Sequence, residues 1–237
     1  MKSLHEVAAK EIMNSDPYTV EKTDSIRSVT DFMEGKGLRA VAVVHDEKYI
    51  GAISYRELIR HAQFASGNTK LEKVVHEAPE FEPGDSLVDL ARLRINSGRK
   101  LLVNVENGKL QSVVEDQEFM DVSRRVKEFE NYSTRNLATH DLVEAFEKDS
   151  IAKVRHLMLD NNISRIPVLD SEGNLSGIVR STDLLRILIK HESQNPGGTS
   201  GKSLKDTQIA GGDEKDAMSD IAISEIMSRD TVEVEGF

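Results

Sequence analysis

Apolar residues recur along this chain in one succession: a helical face, a continuous apolar run, a turn, a second run and another helix. In the first instance Ile26, Val29 and Met33 fall on one face at helical spacing. Asp24 or Ser25 caps that helix, and Gly35 and Gly37 end it. Residues 40–44 are apolar throughout, as expected of a strand buried on both faces. Residues 45–48 read as a tight turn, 49–54 as the return strand, and 56–64 as a helix with Leu58, Ile59 and Ala62 inward. Ahead of these stand a short turn at Glu11-Ile12-Met13 and an extended piece at 17–20, so the order is β-α-β-β-α.

The order returns twice. Asp85 opens a helix carrying Leu87, Leu90 and Ala91; Leu101-Leu102-Val103 and 111–114 flank an Asn107-Gly108 hairpin turn. The third copy has Ile151, Val154 and Met158 on a helix, then residues 165–169, a Gly173-Asn174 turn, and 175–185, a strand running straight into a helix. With Gly177 placed over Gly51 and Ser112, Asp183 falls on Glu57 and Glu118, and Arg180 on Ser54 and Glu115. Twelve residues before that slot stand Arg39, Lys100 and Arg165. Upstream, Asp24-Ser25-Ile26, Asp85-Ser86-Leu87 and Asp149-Ser150-Ile151 keep step. Asp24, Asp85 and Asp149 read as helix caps rather than catalytic acids. A period of about 60 residues exceeds the solenoid range, so each copy is a small domain.

The expected domains are 7–66, 70–129 (with a degenerate motif) and 134–190. Residues 191–220 lose all periodicity and read as a flexible linker. From 221 to 237 a fourth copy starts: Glu225-Ile226-Met227 echoes Glu11-Ile12-Met13, and Thr231-Val232 echoes Thr19-Val20. The chain ends at Phe237 before the helix of that copy, which leaves copy three without a complete partner inside the chain.

Composition narrows the chemistry. The chain has 237 residues, no cysteine and a net charge of −10. Thiol catalysis, disulfides and cysteine-ligated zinc are excluded. The acidic balance argues against nucleic-acid binding, which needs basic surface. No apolar run reaches membrane-spanning length and no signal peptide follows Met1, so a cytoplasmic protein without a membrane is expected. The seven histidines lack metal-site spacing and read as surface residues. Residues 197–203 mimic a phosphate loop, but Pro196 stands where the motif needs glycine and no strand precedes it. No nucleophile with a base and no metal set emerges, so the chain is read as no enzyme.

What remains is the turn after each second strand. A helix start offers unpaired N–H groups to an anion. At the third copy it also carries a cation, Arg180, and a carboxylate, Asp183, able to accept two hydroxyl hydrogen bonds from a sugar. Asp183 is read as a ligand residue first, with capping of its own helix as the alternative. Glu115 with Glu118 repels phosphate at the second copy. Tyr18, Tyr49 and Tyr55 serve packing or base-stacking equally well.

On Glu11-Ile12-Met13, Glu225-Ile226-Met227, Arg165-Ile166-Pro167-Val168, and Gly177-Ile178-Val179 with Asp183, the chain resembles cystathionine-β-synthase (CBS) domains. The resemblance covers everything but the linker. It implies an α/β (α+β) fold of β-α-β-β-α units pairing sheet to sheet as Bateman modules. It also implies regulatory adenosine ligands (AMP, ADP, ATP or S-adenosylmethionine) in the clefts between copies, without another cofactor or metal. The family's phosphate-binding hydroxyl is replaced by Arg180 in copy three, with Thr182 beside it, and is kept as Ser54 in copy one, where Glu57 replaces the aspartate. The implied ligand set is Asp183, Thr182, Arg180, Arg165, Ile166, Pro167 and Ile178 in copy three, and Glu57, Ser54, Arg39 and Thr19 in copy one. The function so implied is a non-catalytic sensor; the alternative is a ligand-independent interaction scaffold with decayed pockets. Expected partners are the adenosine ligand, a second copy of the chain through its CBS domains, and a regulated protein.

Overall fold

The computed structural model describes residues 2–61, 67–126, 133–194 and 221–231. The expected linker from 195 on, the end of the first copy's last helix and the strand expected beyond Thr231 lie outside the described residues. The chain divides into two units: Met1–Leu58 with Asn68–His140 and Val234–Phe237, and Ile59–Gly67 with Asp141–Glu233.

The first unit begins with β1 (Thr19–Glu21), α1 (Ile26–Lys36), β2 (Ala40–His45), β3 (Lys48–Ser54) and the start of α2 (Tyr55–His61). It continues with α3 (Leu87–Ser97), β4 (Leu102–Glu106), β5 (Lys109–Val114), α4 (Asp116–Ser123) and the short α5 (Thr134–Leu137). β1 lies parallel to β2, and β2 antiparallel to β3. Both hairpin turns use left-handed residue pairs, Asp46-Glu47 (φ 50° and 63°) and Asn107-Gly108 (φ 51° and 76°), which match the strand twist. The sheets of copies one and two share a core of Ala40, Ala42, Ala52, Ala78, Leu101, Val103 and Val113. Small residues on the first sheet admit larger ones from the second, as close packing requires.

The second unit carries β6 (Ala145–Phe146), α6 (Ile151–Asp160), β7 (Arg165–Leu169), β8 (Leu175–Arg180) and α7 (Ser181–Gln194). β6 is parallel to β7 and β7 antiparallel to β8, the topology of β1-β2-β3. α7 carries the third copy four residues past its expected end at 190. On the strands of this sheet Val168 and Val179 are fully buried inside the unit, whereas Leu169 and Ile178 are half-buried.

The Asp-Ser-aliphatic triplets have a joint role. Serine is the helix cap: Ser25, Ser86 and Ser150 Oγ each accept the N–H three residues on, at 3.2 Å. The aspartate closes the preceding turn instead. Asp24, Asp85 and Asp149 accept the N–H groups of Glu21, Glu82 and Phe146 at 2.9–3.0 Å. The triplet backbone then binds the lead-in of another copy. Leu71 N–H donates to Asp24 O (3.0 Å), Ala9 N–H to Asp85 O (2.7 Å) and Ile223 N–H to Asp149 O (2.8 Å). Each lead-in ends on a returning strand: His76 on Ala52, Asn14 on Val113 and Ser228 on Ile178. Within the first unit the exchange is reciprocal, copy one strapping copy two and copy two strapping copy one.

This crossing explains the glycine slot. A Cβ on Gly51 would lie 2.3 Å from Val75 Cγ1 and 2.6 Å from His76 O, at a φ of +148° that only glycine adopts readily. One on Gly177 would lie 2.6 Å from Ser228 O.

Candidate ligand clefts at the helix-start turns

In all three copies the glycine-slot residue pairs just before a bulge: Gly51 with Val43, Ser112 with Asn104, Gly177 with Val168. The bulge and the strand end aim the next turn, where the helix begins with its acidic residue in the first turn. Each copy disposes of that acid differently.

In copy one, Glu57 is 4% exposed and receives the Ser54 hydroxyl. Arg99 Nη1 donates to it at 3.0 Å, His76 Nε2 lies 3.3 Å away and Arg56 Nε 3.7 Å. Burial pushes the carboxyl pKa up, but His76, Ser54 and Arg56 outweigh it and hold the group at about 2. His76 is thus no surface histidine: its side chain is 12% exposed, carried inward by the lead-in strap. Sequence reasoning missed Arg99 and His76 because both come from another copy; the only signal was His76's place at the end of a lead-in. Arg39 is turned to Asp116, at 3.2 Å, which also takes Arg94 at 2.8 Å. Thr19 opens β1 opposite Ala42. The structure therefore brings Ser54 and Glu57 together, and Arg39 to another carboxylate.

In copy two, Glu115 and Glu118 border a cleft of about 300 Å³. Its walls are Leu38, Ala40, Val41 and Ala42 from copy one, and Leu101 and Val113 from copy two; Asn14, Pro17, Tyr18, Lys36, Gly37 and Gln117 complete it. Glu118 accepts the Glu115 backbone N–H at 2.7 Å. Among the described residues no cation pairs with the Glu115 carboxyl: burial raises its pKa to about 7, with Glu118 and Asp116 adding and Arg39 opposing. Tyr18, 48% exposed, meets Phe32 edge-on at 5.7 Å, and the Lys36 ammonium sits 5.0 Å from its ring centre. Tyr49 packs on the shared core and Tyr55 is buried, so of these three tyrosines Tyr18 alone lines the cleft.

In copy three, Asp183 is 5% exposed and caps α7 by accepting the Arg180 N–H at 2.9 Å. The Arg180 guanidinium adds bonds at 3.1 and 3.3 Å, and Arg186 one at 3.4 Å. Thr182 is half-buried beside it. Pro167 and Ile178 pair across the strands and are half-buried, whereas Ile166 is wholly buried opposite Val179. Arg165 pairs directly with Arg180. Its turn holds five residues between Leu169 and Leu175, where four separate Val44 from Tyr49 and Val105 from Leu110. Arg165 therefore matches Ala40 and Leu101 in strand register, not Arg39 and Lys100, and one residue of slip changes the face.

Three copies of one sheet-and-turn unit with exchanged lead-ins define a repeat protein of paired α/β domains. The CBS domain family model matches residues 9–63 and 135–190. The chain is a CBS-domain protein, and CBS pairs are regulatory, ligand-binding modules. It is 28% identical over 195 residues to uncharacterized protein MJ1404 of Methanocaldococcus jannaschii, covering 80% of this chain and 45% of that one. It is 25% identical over 216 residues to cystathionine beta-synthase of Saccharomyces cerevisiae, covering 80% of this chain and 42% of that one. The chain thus spans less than half of either. The solved structure of protein MJ1225 of M. jannaschii superposes with a TM-score of 0.71 at 21% identity, covering 95% of this chain and 84% of that one, and shows the same fold. No helix among the described residues is long and apolar enough to cross a membrane.

Proposed function

We propose that the chain is a non-catalytic, cytoplasmic regulatory module that binds an adenosine-containing ligand. The observation that carries this is the cleft of about 300 Å³ within the first CBS pair, with its apolar walls, the Tyr18 ring and helix-start carboxylates. Such a cleft suits a flat heterocycle joined to a hydroxyl-bearing sugar: aliphatic walls take the ring, and carboxylates accept from the hydroxyls. A second site at copy three would use Asp183, with Thr182, Arg180 and Arg165 on the polar part and Pro167 and Ile178 on the ring. Arg180, 44% exposed, would have to release Asp183 first. Ligand binding would bias the geometry of the paired domains and so a partner protein, which requires different affinities for two states. Copy three would pair through its sheet with a second copy of the chain.

Calorimetric titration of the full chain with adenosine, AMP, ADP, ATP and S-adenosylmethionine tests the reading. Saturable binding of at least one is expected; no binding of any would overturn it. The second reading, a ligand-independent scaffold, is favoured by Glu57 and Asp183, which already hold arginines of their own chain. It predicts no binding by any compound and unchanged assembly in sedimentation experiments.

A further inference from the structure

The cleft beside Glu115 differs from the other two turns in a way that bears on its ligand. At Glu57 and Asp183 the chain supplies guanidinium groups at 3.0–3.4 Å. Among the described residues no cation forms an ion pair with Glu115 or Glu118, although Lys36 also lines the cleft. Arg39 and Arg94 are paired with Asp116, and Lys36 lies over the Tyr18 ring. One of the two carboxylates, Glu118, is satisfied by a backbone N–H. The other, Glu115, stands at the N-cap of α4, in the position where Ser54 offers a hydroxyl in copy one. Above pH 7, where Glu115 is ionised, a phosphate placed there would meet a carboxylate of like charge and no hydroxyl donor. A sugar hydroxyl or an ammonium would meet an acceptor of the right kind.

We infer that the cleft bordered by Glu115 and Glu118 takes a phosphate-free nucleoside, uncharged or cationic, and rejects nucleotides. This rests on the adenosine-ligand reading and narrows it. The helix start alone would favour an anion; the two carboxylates reverse that preference by occupying the anion's place. Selectivity then follows from charge repulsion against the wrong ligand as much as from attraction to the right one.

The test is a titration of the full ¹⁵N-labelled chain at pH 8, where Glu115 is ionised, with adenosine, 5′-amino-5′-deoxyadenosine and AMP, followed at the Val113, Gln117 and Glu118 amides. These report the cleft apart from any binding at Asp183. Adenosine and its amine should move these amides with at least about ten-fold higher affinity than AMP, the ratio that one unfavourable charge contact sets. Glu115→Gln should narrow that ratio by improving AMP, with adenosine changed less. AMP binding in the cleft as tightly as adenosine, or a ratio untouched by Glu115→Gln, would overturn the inference and leave the regulatory reading standing. Failure of all three compounds to bind in the cleft would overturn the inference, and failure of ADP, ATP and S-adenosylmethionine as well would overturn both.

Discussion

Copies one and two place an acid at the third position of the helix that follows the second hairpin strand, Glu57 and Glu118, but surround the turn with different partners. Glu57 is held at about 2 by His76, Ser54 and Arg56 against the cost of burial. Copy two adds a second acid, Glu115, which burial and its acidic neighbours push up to about 7. The backbone device is the same, so the difference lies in what other elements bring to it. In copy one the strap from copy two delivers His76, and the residues before β4 deliver Arg99. In copy two the strap delivers Asn14 and a methionine, Met13, whose sulfur takes the Ser112 hydroxyl at 3.2 Å. A turn supplied with its own counter-cations has its charge settled internally. A turn without them keeps a carboxyl that no cation of the described residues neutralises.

The largest effect should come from exchanging the slot residues. Gly51→Ser puts into copy one the residue that copy two carries at Ser112, but against His76 O and at a positive φ. Overlap with backbone and a glycine-only conformation together should cost about 3 kcal/mol or more. Chemical denaturation should show this, while Ser112→Gly costs well under half as much.

Next comes the paired acid itself. Glu57→Gln leaves Arg99 and His76 without their buried partner and should cost about 3 kcal/mol. Because the folded pKa of Glu57 lies below its ordinary value, its contribution is full above about pH 4.5 and is lost as pH falls toward 2. The stability difference between wild type and Glu57→Gln should shrink over that window in thermal melts.

Glu115 should behave with the opposite sign. A raised folded pKa means that ionisation disfavours the native state, so stability associated with Glu115 is present below about pH 4.5 and lost as pH rises through 7. Glu115→Gln should stabilise the protein by on the order of 1–3 kcal/mol at pH 8 and by little at pH 4.5. A melting temperature lowered by the substitution at pH 8 would break the comparison. The smallest effect is at Arg39, whose charge lowers the Glu115 pKa. Arg39→Ala should raise that pKa slightly further, visible in a carboxyl titration.

Much of the fold was legible because its signals are local. The Asn107-Gly108 turn, the serine caps and the apolar run of β2 each follow from a few neighbouring residues. The triplets were visible but half understood: their aspartates hold the preceding turn, and their backbone receives a strap from far along the chain. Arg165 was placed in register with Arg39 because an ungapped count cannot see one extra residue in the third hairpin turn. The sites were harder still. That Glu57 is neutralised depends on Arg99, 42 positions away, and no spacing pattern announces such a pair. Glu115 was legible as hostile to phosphate, but that a cleft opens at it depends on Tyr18, Leu38 and Val41 of another copy.

The account rests on one acid being settled within the chain and the other left open. Carboxyl-carbon NMR titration of the full chain, with glutamates labelled at the side-chain carboxyl, measures this directly. The prediction is that Glu115 titrates near 7 and that Glu57 stays ionised down to about pH 3. Two glutamates that both titrate at the ordinary value near 4.5 would contradict it.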